Sequence, residues 1–537
     1  MGNNEQPVKW STEANENSIT HKMTLQNPSI YTESRQRAQW GALYFASNQT
    51  GSDTTWQTGQ DIVVRQQFLS TGKLANTQDI NFRKVSVNWP VMAFAQDLGI
   101  VTSGYTGRAN FVLGHLRDPV VQYQTPTSPE ARSLYSMSKF LTEEDALKFA
   151  LNNWVPATKT SARFTARLIK EGEGISPDYM GVLSASTFQA FASMEFTVST
   201  ATKSIQDPKL FIKDSAVQED GSSMPGAFTS VNSLYSIMPM FIYTNPRLGN
   251  YGLRSLLEYA KFYNQSFAAH DIGLRYGEAV VLIRLSATAS MIIMTYAFMR
   301  YTGDAELPAV HYDTLKTWAD YLVENALFYS PEVTGDWFVG EAAGPAGNMT
   351  NVALKGLIAL RSMVEIQKYV IGKSNESPKY LGAANSGLER WIQLSDYGTI
   401  DKFSYQSNTK QYLLHALYAD KLLGLNFVPE SVYVRQRTQY TSDMKRYGVP
   451  LTDVNNFTTI AHQYFTIAAL TAGNSTFLGN PTFTAIKNYT GASVNANLTA
   501  LADTYNADTG VAVAQTVARG NVGGAYAVLA LKMLVFV

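Results

Sequence analysis

The sequence predicts a mainly α protein that opens with a β-rich region, and three observations carry this. Short apolar runs broken by Gly, Pro, Asn and Asp fill the first 125 residues. From about residue 126 the apolar period becomes helical. Hydrophobic residues make up 45% of the 537 and charged residues only 16%, enough apolar surface for a large core. The β-rich part reads from runs such as Ile62 to Val64, Val85 to Val87, Val91 to Ala95 and Phe111 to Leu113, spaced as in antiparallel sandwiches. Ser70-Thr71-Gly72-Lys73 reads as a hairpin turn, and Gln124 to Pro129 as a linker. Two units follow, 1–125 and 126–537.

In the second unit Leu315, Trp318, Ala319 and Leu322 fall on one helical face, as do Ala353, Leu357, Leu360 and Val364. Similar segments recur near 141–154, 254–269, 286–302, 378–394, 410–424, 457–472 and 521–536. Joined by Gly/Pro/Asn-rich loops, they suggest consecutive α-hairpins.

Composition excludes several classes of function. Lys plus Arg is 43 and Asp plus Glu is 43, without basic blocks, so no nucleic-acid partner is expected. With no cysteine there is no thiol nucleophile, disulfide or Cys–zinc site, and no metal or cofactor is called for. The most apolar run, Ala279 to Met299, contains Arg284, and an arginine at mid-membrane costs about 2.5–3.5 kcal/mol, so a core helix is expected and no membrane partner. Met1 to Gln6 is too polar for a signal peptide. N-x-Ser/Thr sequons at Asn48, Asn264, Asn348, Asn375, Asn456, Asn474, Asn488 and Asn497 favour an extracellular glycoprotein, with Asn474 and Asn488 the foremost acceptors. Nothing specifies an oligomeric state.

Hydrolase signatures such as G-x-S-x-G, H-E-x-x-H and the P-loop are absent. Ser70-x-x-Lys73 and Ser136-x-x-Lys139 match a Ser–Lys pattern without its companion motifs. His21, His311, His415 and His462 read as structural, and His115 precedes a polar turn. His270-Asp271, in a polar loop after a helix, is the strongest local candidate for ligand contacts. Asp336, beside Trp337, and Glu341 are candidate acid/base carboxylates, with helix capping as the competing role.

Several stretches, in order, resemble the fungal glutaminase A family. They include Pro90-Val91-Met92-Ala93-Phe94-Ala95-Gln96-Asp97-Leu98-Gly99, Gly114-His115-Leu116-Arg117-Asp118-Pro119, His270-Asp271-Ile272-Gly273, Tyr301-Thr302-Gly303-Asp304, Thr350-Asn351-Val352-Ala353-Leu354-Lys355-Gly356, Tyr418-Ala419-Asp420-Lys421 and Gly523-Gly524. The resemblance implies an (α/α)6 toroid of six-hairpin type behind a partial β-sandwich. It also implies a secreted hydrolase acting on a small molecule, converting L-glutamine to L-glutamate and ammonia. On that reading Asp271, Asp336 and Glu341 are catalytic, and His270, Asn351, Lys355 and Trp337 bind substrate. The chain starts inside the family's β-domain, so a signal peptide and the upstream β portion are expected to be absent from it. Two further departures bear on chemistry: the loop after His270-Asp271 shortens to Leu274–Glu278, and the family's paired glutamates align with Ser286 and Ala287. Glutamine hydrolysis is therefore expected to be weak. A six-hairpin glycoside hydrolase and an inactive secreted binding homologue are the alternatives.

Overall fold

The computed structural model describes residues 6–533 apart from 35–36, 49–52, 105–108, 214–215, 218–222, 225–227, 273–283, 332–346, 371, 397, 399–400, 473–478 and 499. The chain divides into two compact units. One comprises 1–123, 130–166 and 196–208, and the other 124–129, 167–195 and 209–537.

In the first unit, strands Val8–Ala14, Ile19–Leu25, Ala42–Ser47 and Phe111–Leu116 form one antiparallel sheet in that order. Strands Thr54–Gln60 and Pro90–Gln96 pair separately. Phe94 of the second pair stacks on His21, Phe45 and Phe111 of the first sheet, at 4.6, 4.8 and 5.8 Å between ring centroids. An aromatic layer of this kind contributes beyond its buried area. His21 is enclosed there, and burial drives its pKa down to about 4 against the opposing pull of the Ala93 carbonyl.

Four readings of the N-terminal part of the chain change. Ile62 to Val64 lies in the helix Asp61–Thr71 rather than a strand, and Gly72, at φ +70°, is its left-handed C-cap, not a hairpin turn. Val85 to Val87 is a turn. The expected linker begins in strand Val121–Gln124 and ends in strand Pro129–Leu134, two neighbours in one sheet, so residues 125–128 are a β-connection.

The second unit repeats one pattern six times: an amphipathic outer helix, a long loop, then an inner helix buried nearly all round. Inner helices are Val231–Thr244, Arg284–Thr302, Thr350–Tyr369, Leu417–Leu422, Ile460–Thr471 and the segment from Gly520–Tyr526 into Ala527–Leu531. Their outer partners are Pro177–Ala192, Pro246–Tyr263, Tyr312–Asn325, Ser377–Ser395, Glu430–Ser442 and Gly479–Thr490. Each inner helix packs on the next, and the sixth packs on the first, so the ring closes. At the closure Gly524 leaves no room for a side chain: an added Cβ would meet Ala461 at 2.6 Å and the Ser236 carbonyl at 3.1 Å.

The connections are unequal. Returns from inner to outer helices are short, a single Asn245 in the first case. Connections entering the inner helices are long in sequence (264–283, 326–349, 396–416, 443–459, 491–519), and each ends at the N-terminal end of an inner helix. Loops of this kind, carried on a rigid scaffold, are where binding and catalytic groups concentrate.

Candidate functional site

Four of the sequence-predicted residues lie at those N-terminal ends. His270 and Asp271 lie in the loop entering the second inner helix, while Asn351 and Lys355 occupy the first two turns of the third. Asp336, Trp337 and Glu341 fall outside the described residues.

The segment around His270 crosses the start of the first inner helix. Val231 N–H donates to the His270 carbonyl at 2.7 Å, and Ile272 N–H donates to Phe228 O at 3.2 Å. Ser230 caps the same helix, its hydroxyl accepting from Ser233 N–H at 3.1 Å. With the backbone fixed on both sides, Asp271 is only 1% accessible, and its carboxylate lies 2.9 Å from His270 Nδ1. That contact puts the ring proton on Nδ1 and leaves Nε2 as the acceptor. Burial, then the charge of Asp271, pushes the Tyr259 hydroxyl up to about 12. Burial and Asp271 also raise Tyr263, against the pull of Arg284.

Lys355 comes from the third inner helix with its side chain 4% accessible. Its Nζ stands 3.9 Å from the Tyr235 ring centroid and 3.4 Å from Ser286 Oγ, so it joins the first three inner helices. Desolvated, a cation over an aromatic face is worth about 2 kcal/mol. The Tyr235 ring also meets Phe465 at 5.8 Å, and Phe465 stacks on Tyr418 at 4.6 Å. These contacts bring the first, fourth and fifth inner helices together through aromatic rings. The Tyr235 hydroxyl is buried with no partner among the described residues.

Asn351 does something the sequence did not suggest. Its Oδ1 accepts from Ala416 N–H at 3.0 Å, which fixes the amide, and its Nδ2 then donates to His415 Nε2 at 2.6 Å. Both ends of the expected substrate binder are thus spent on the next inner helix. His415 in turn lies parallel to His462, 3.8 Å between ring centroids and 8° between planes. Both histidines had read as structural. Their only sequence signal was position at the start of an inner helix, which cannot be seen before the ring is known.

Elsewhere, Ser70 and Ser136 belong to the first unit, Ser70 in the helix Asp61–Thr71 and Ser136 in the short helical turn Tyr135–Ser138. Among the sequons, Asn264, Asn375, Asn488 and Asn497 are exposed, and Asn456 is half-buried. Asn48 donates its amide nitrogen to Leu151 O at 3.3 Å, and Asn348 Oδ1 accepts from Tyr329 N–H at 2.9 Å. Asn474 lies outside the described residues. Among the described residues no group of three or more His, Asp or Glu could hold a metal, and no helix is long and apolar enough to cross a membrane.

Comparison with known proteins agrees with this architecture. A glutaminase A of Aspergillus oryzae is 31% identical over 83% of this chain and 64% of its own length. A probable glutaminase of Arthroderma benhamiae is 23% identical over 82% of this chain and 60% of its own. The chain thus spans less than two thirds of each relative. Among solved structures, a bacterial glucoamylase complexed with acarbose aligns over 98% of this chain and 81% of its own at 11% identity, with a TM-score of 0.48. A rhamnosidase from Klebsiella oxytoca with rhamnose bound aligns over 97% and 96% at 8% identity, with a TM-score of 0.44. Residues 1–171 match a domain of unknown function, DUF5127. Residues 176–529 match the glutaminase A six helical-hairpin domain, and the chain belongs to that family.

Proposed function

We propose that the long-loop face of the toroid is a carboxamide-hydrolysing site for a small carboxylate-bearing substrate, L-glutamine being the first candidate. The observation that supports it most is Lys355, a buried ammonium group held over Tyr235 where the first three inner helices meet. Such a group is a charge-assisted donor suited to a carboxylate, worth about 1.5–3 kcal/mol in one hydrogen bond. A neutral sugar offers it hydroxyl acceptors but no opposite charge to pair with. The N-terminal ends of the inner helices add positive potential on the same face.

The roles then divide. Lys355 takes the substrate carboxylate. Asp271 orients His270, whose Nε2 removes a proton from the attacking water. Asp336 and Glu341 are further acid/base candidates and Trp337 a further substrate contact in this reading. Asn351 acts by holding His415 rather than by touching substrate. Secretion belongs to the same proposal, with the exposed Asn264, Asn375, Asn488 and Asn497 as glycan acceptors.

Ammonia release from L-glutamine, beside sugar release from aryl glycosides, tests the assignment. Slow glutamine turnover that falls about 10²-fold or more in Asp271→Asn is expected, since a general base contributes about 10²–10⁴-fold. Glycoside cleavage without ammonia release would replace it with the glycosidase reading.

A further inference from the structure

Three of the chain's six histidines, His270, His415 and His462, lie in or just before the first turns of inner helices, and His415 and His462 stack on one another. Water activation uses His270 alone. Hydrolysis of a carboxamide also needs a donor for the departing nitrogen, because an amide anion is too basic to leave unprotonated.

His415 is 5% accessible. The Asn351 amide, oriented by Ala416 N–H, donates to its Nε2, so the neutral ring carries its proton on Nδ1. His462 is in the first turn of the fifth inner helix, where Thr459 Oγ1 accepts from its backbone N–H at 3.0 Å. Every other residue of that helix from Ile460 to Leu470 is buried, whereas His462 keeps part of its surface accessible. Its Nδ1 is buried, so the accessible part of the ring lies elsewhere on the imidazole, in the first turn at the N-terminal end of the inner helix. The parallel stack with His415 holds the imidazole in one orientation.

We propose that His462 is the proton donor to the leaving nitrogen, with His415 and Asn351 as positioning residues. The proposal rests on the amidohydrolase reading. In the step, water oxygen bonds to the carboxamide carbon while His270 Nε2 takes the water proton. The C–N bond then breaks and its electron pair stays on nitrogen. The imidazolium N–H of His462 protonates that nitrogen, which leaves as ammonia. The product is the carboxylic acid, which releases its proton to solvent and becomes the carboxylate, and the proton on His270 passes through solvent to restore His462.

The test combines kinetics on the intact protein with spectroscopy of the histidine rings. His462→Ala should lower kcat about 10²-fold or more with KM within about 3-fold. Added imidazole should restore part of the lost rate, which a purely structural role would not allow. Asn351→Leu, which keeps the branched shape but removes both hydrogen-bonding groups, should lower kcat about 10-fold with KM unchanged and without rescue by imidazole. Full activity in His462→Ala, or a loss that imidazole does not relieve in a folded variant, overturns the assignment. Should the wild type release no ammonia, the amidohydrolase reading fails separately. The placement of His462 is then judged by its ring-nitrogen resonances on addition of L-glutamate: a shift supports it, and unmoved signals overturn it.

Discussion

Replacing Gly524 by alanine puts a methyl group where the sixth inner segment seals against the fifth and first. The new carbon would lie 2.6 Å from Ala461 Cβ, 2.7 Å from Ala461 Cα and 3.1 Å from Ser236 O, where ordinary contact begins at 3.4 Å. The shortfall against Ala461 is about 0.8 Å, and the atoms it meets belong to backbone or to a side chain with no rotamer to change. Relief requires two inner helices to move apart. Overpacking of this sort costs about 1–3 kcal/mol, and the upper half applies because nothing flexible can yield. Against that, alanine restricts the unfolded chain and returns about 0.4–1 kcal/mol. The net is roughly 2 kcal/mol, or about 2–3 °C in Tm for a unit of this size. Gly523→Ala is the internal control. Its Cβ would meet only Ala190 and Ile237 side-chain atoms, at 3.3 Å and beyond, so a change within about 1 °C is expected. Calorimetric scans of the three proteins provide the comparison. Equal Tm for Gly524→Ala and wild type would refute the tight closure on which the ring description rests.

Acid should weaken the protein through His311, whose pKa burial, with the charges of Lys261 and Arg254, lowers to about 4. The unfolded chain takes up that proton near pH 6.5 and the folded chain only near 4, so the contribution, up to about 3 kcal/mol, is present above 6.5 and lost as pH falls towards 4. The stability gap between wild type and His311→Gln should therefore narrow across that window in denaturant melts, and a constant gap contradicts the assignment. Expressed in a glycosylating fungal host, Asn488→Gln should lower the mass by one glycan, while Asn48→Gln, whose amide is tied to Leu151, should leave it unchanged. A glycan lost from Asn48→Gln alone would overturn that burial.

Periodicity made the large helical domain legible, and the outer helices most of all, because Leu315, Trp318 and Leu322 repeat on the one face that is buried. Inner helices give a weaker signal. Thr350–Tyr369 is covered on nearly every side, so its apolar residues have no polar stripe to set them off. The helix Asp61–Thr71 was missed for the opposite reason. Its β-branched Ile62, Val63 and Val64 carry strand propensity, while the Gly72 cap and the pairing of its neighbours decide for helix. The site was half legible. His270-Asp271 and Lys355 stood out through local polarity and family resemblance, whereas the Asn351–His415–His462 contacts join three helices that only ring closure brings side by side.

The most direct measurement is calorimetric titration of L-glutamine and L-glutamate into the wild type and Lys355→Met. Methionine keeps most of the lysine volume and removes the ammonium, so folding should survive while the charge-assisted contact disappears. Binding by the wild type that weakens about 10- to 150-fold in Lys355→Met, matching about 1.5–3 kcal/mol, is the predicted result. Unchanged affinity in the variant would contradict the placement of the substrate carboxylate at Lys355.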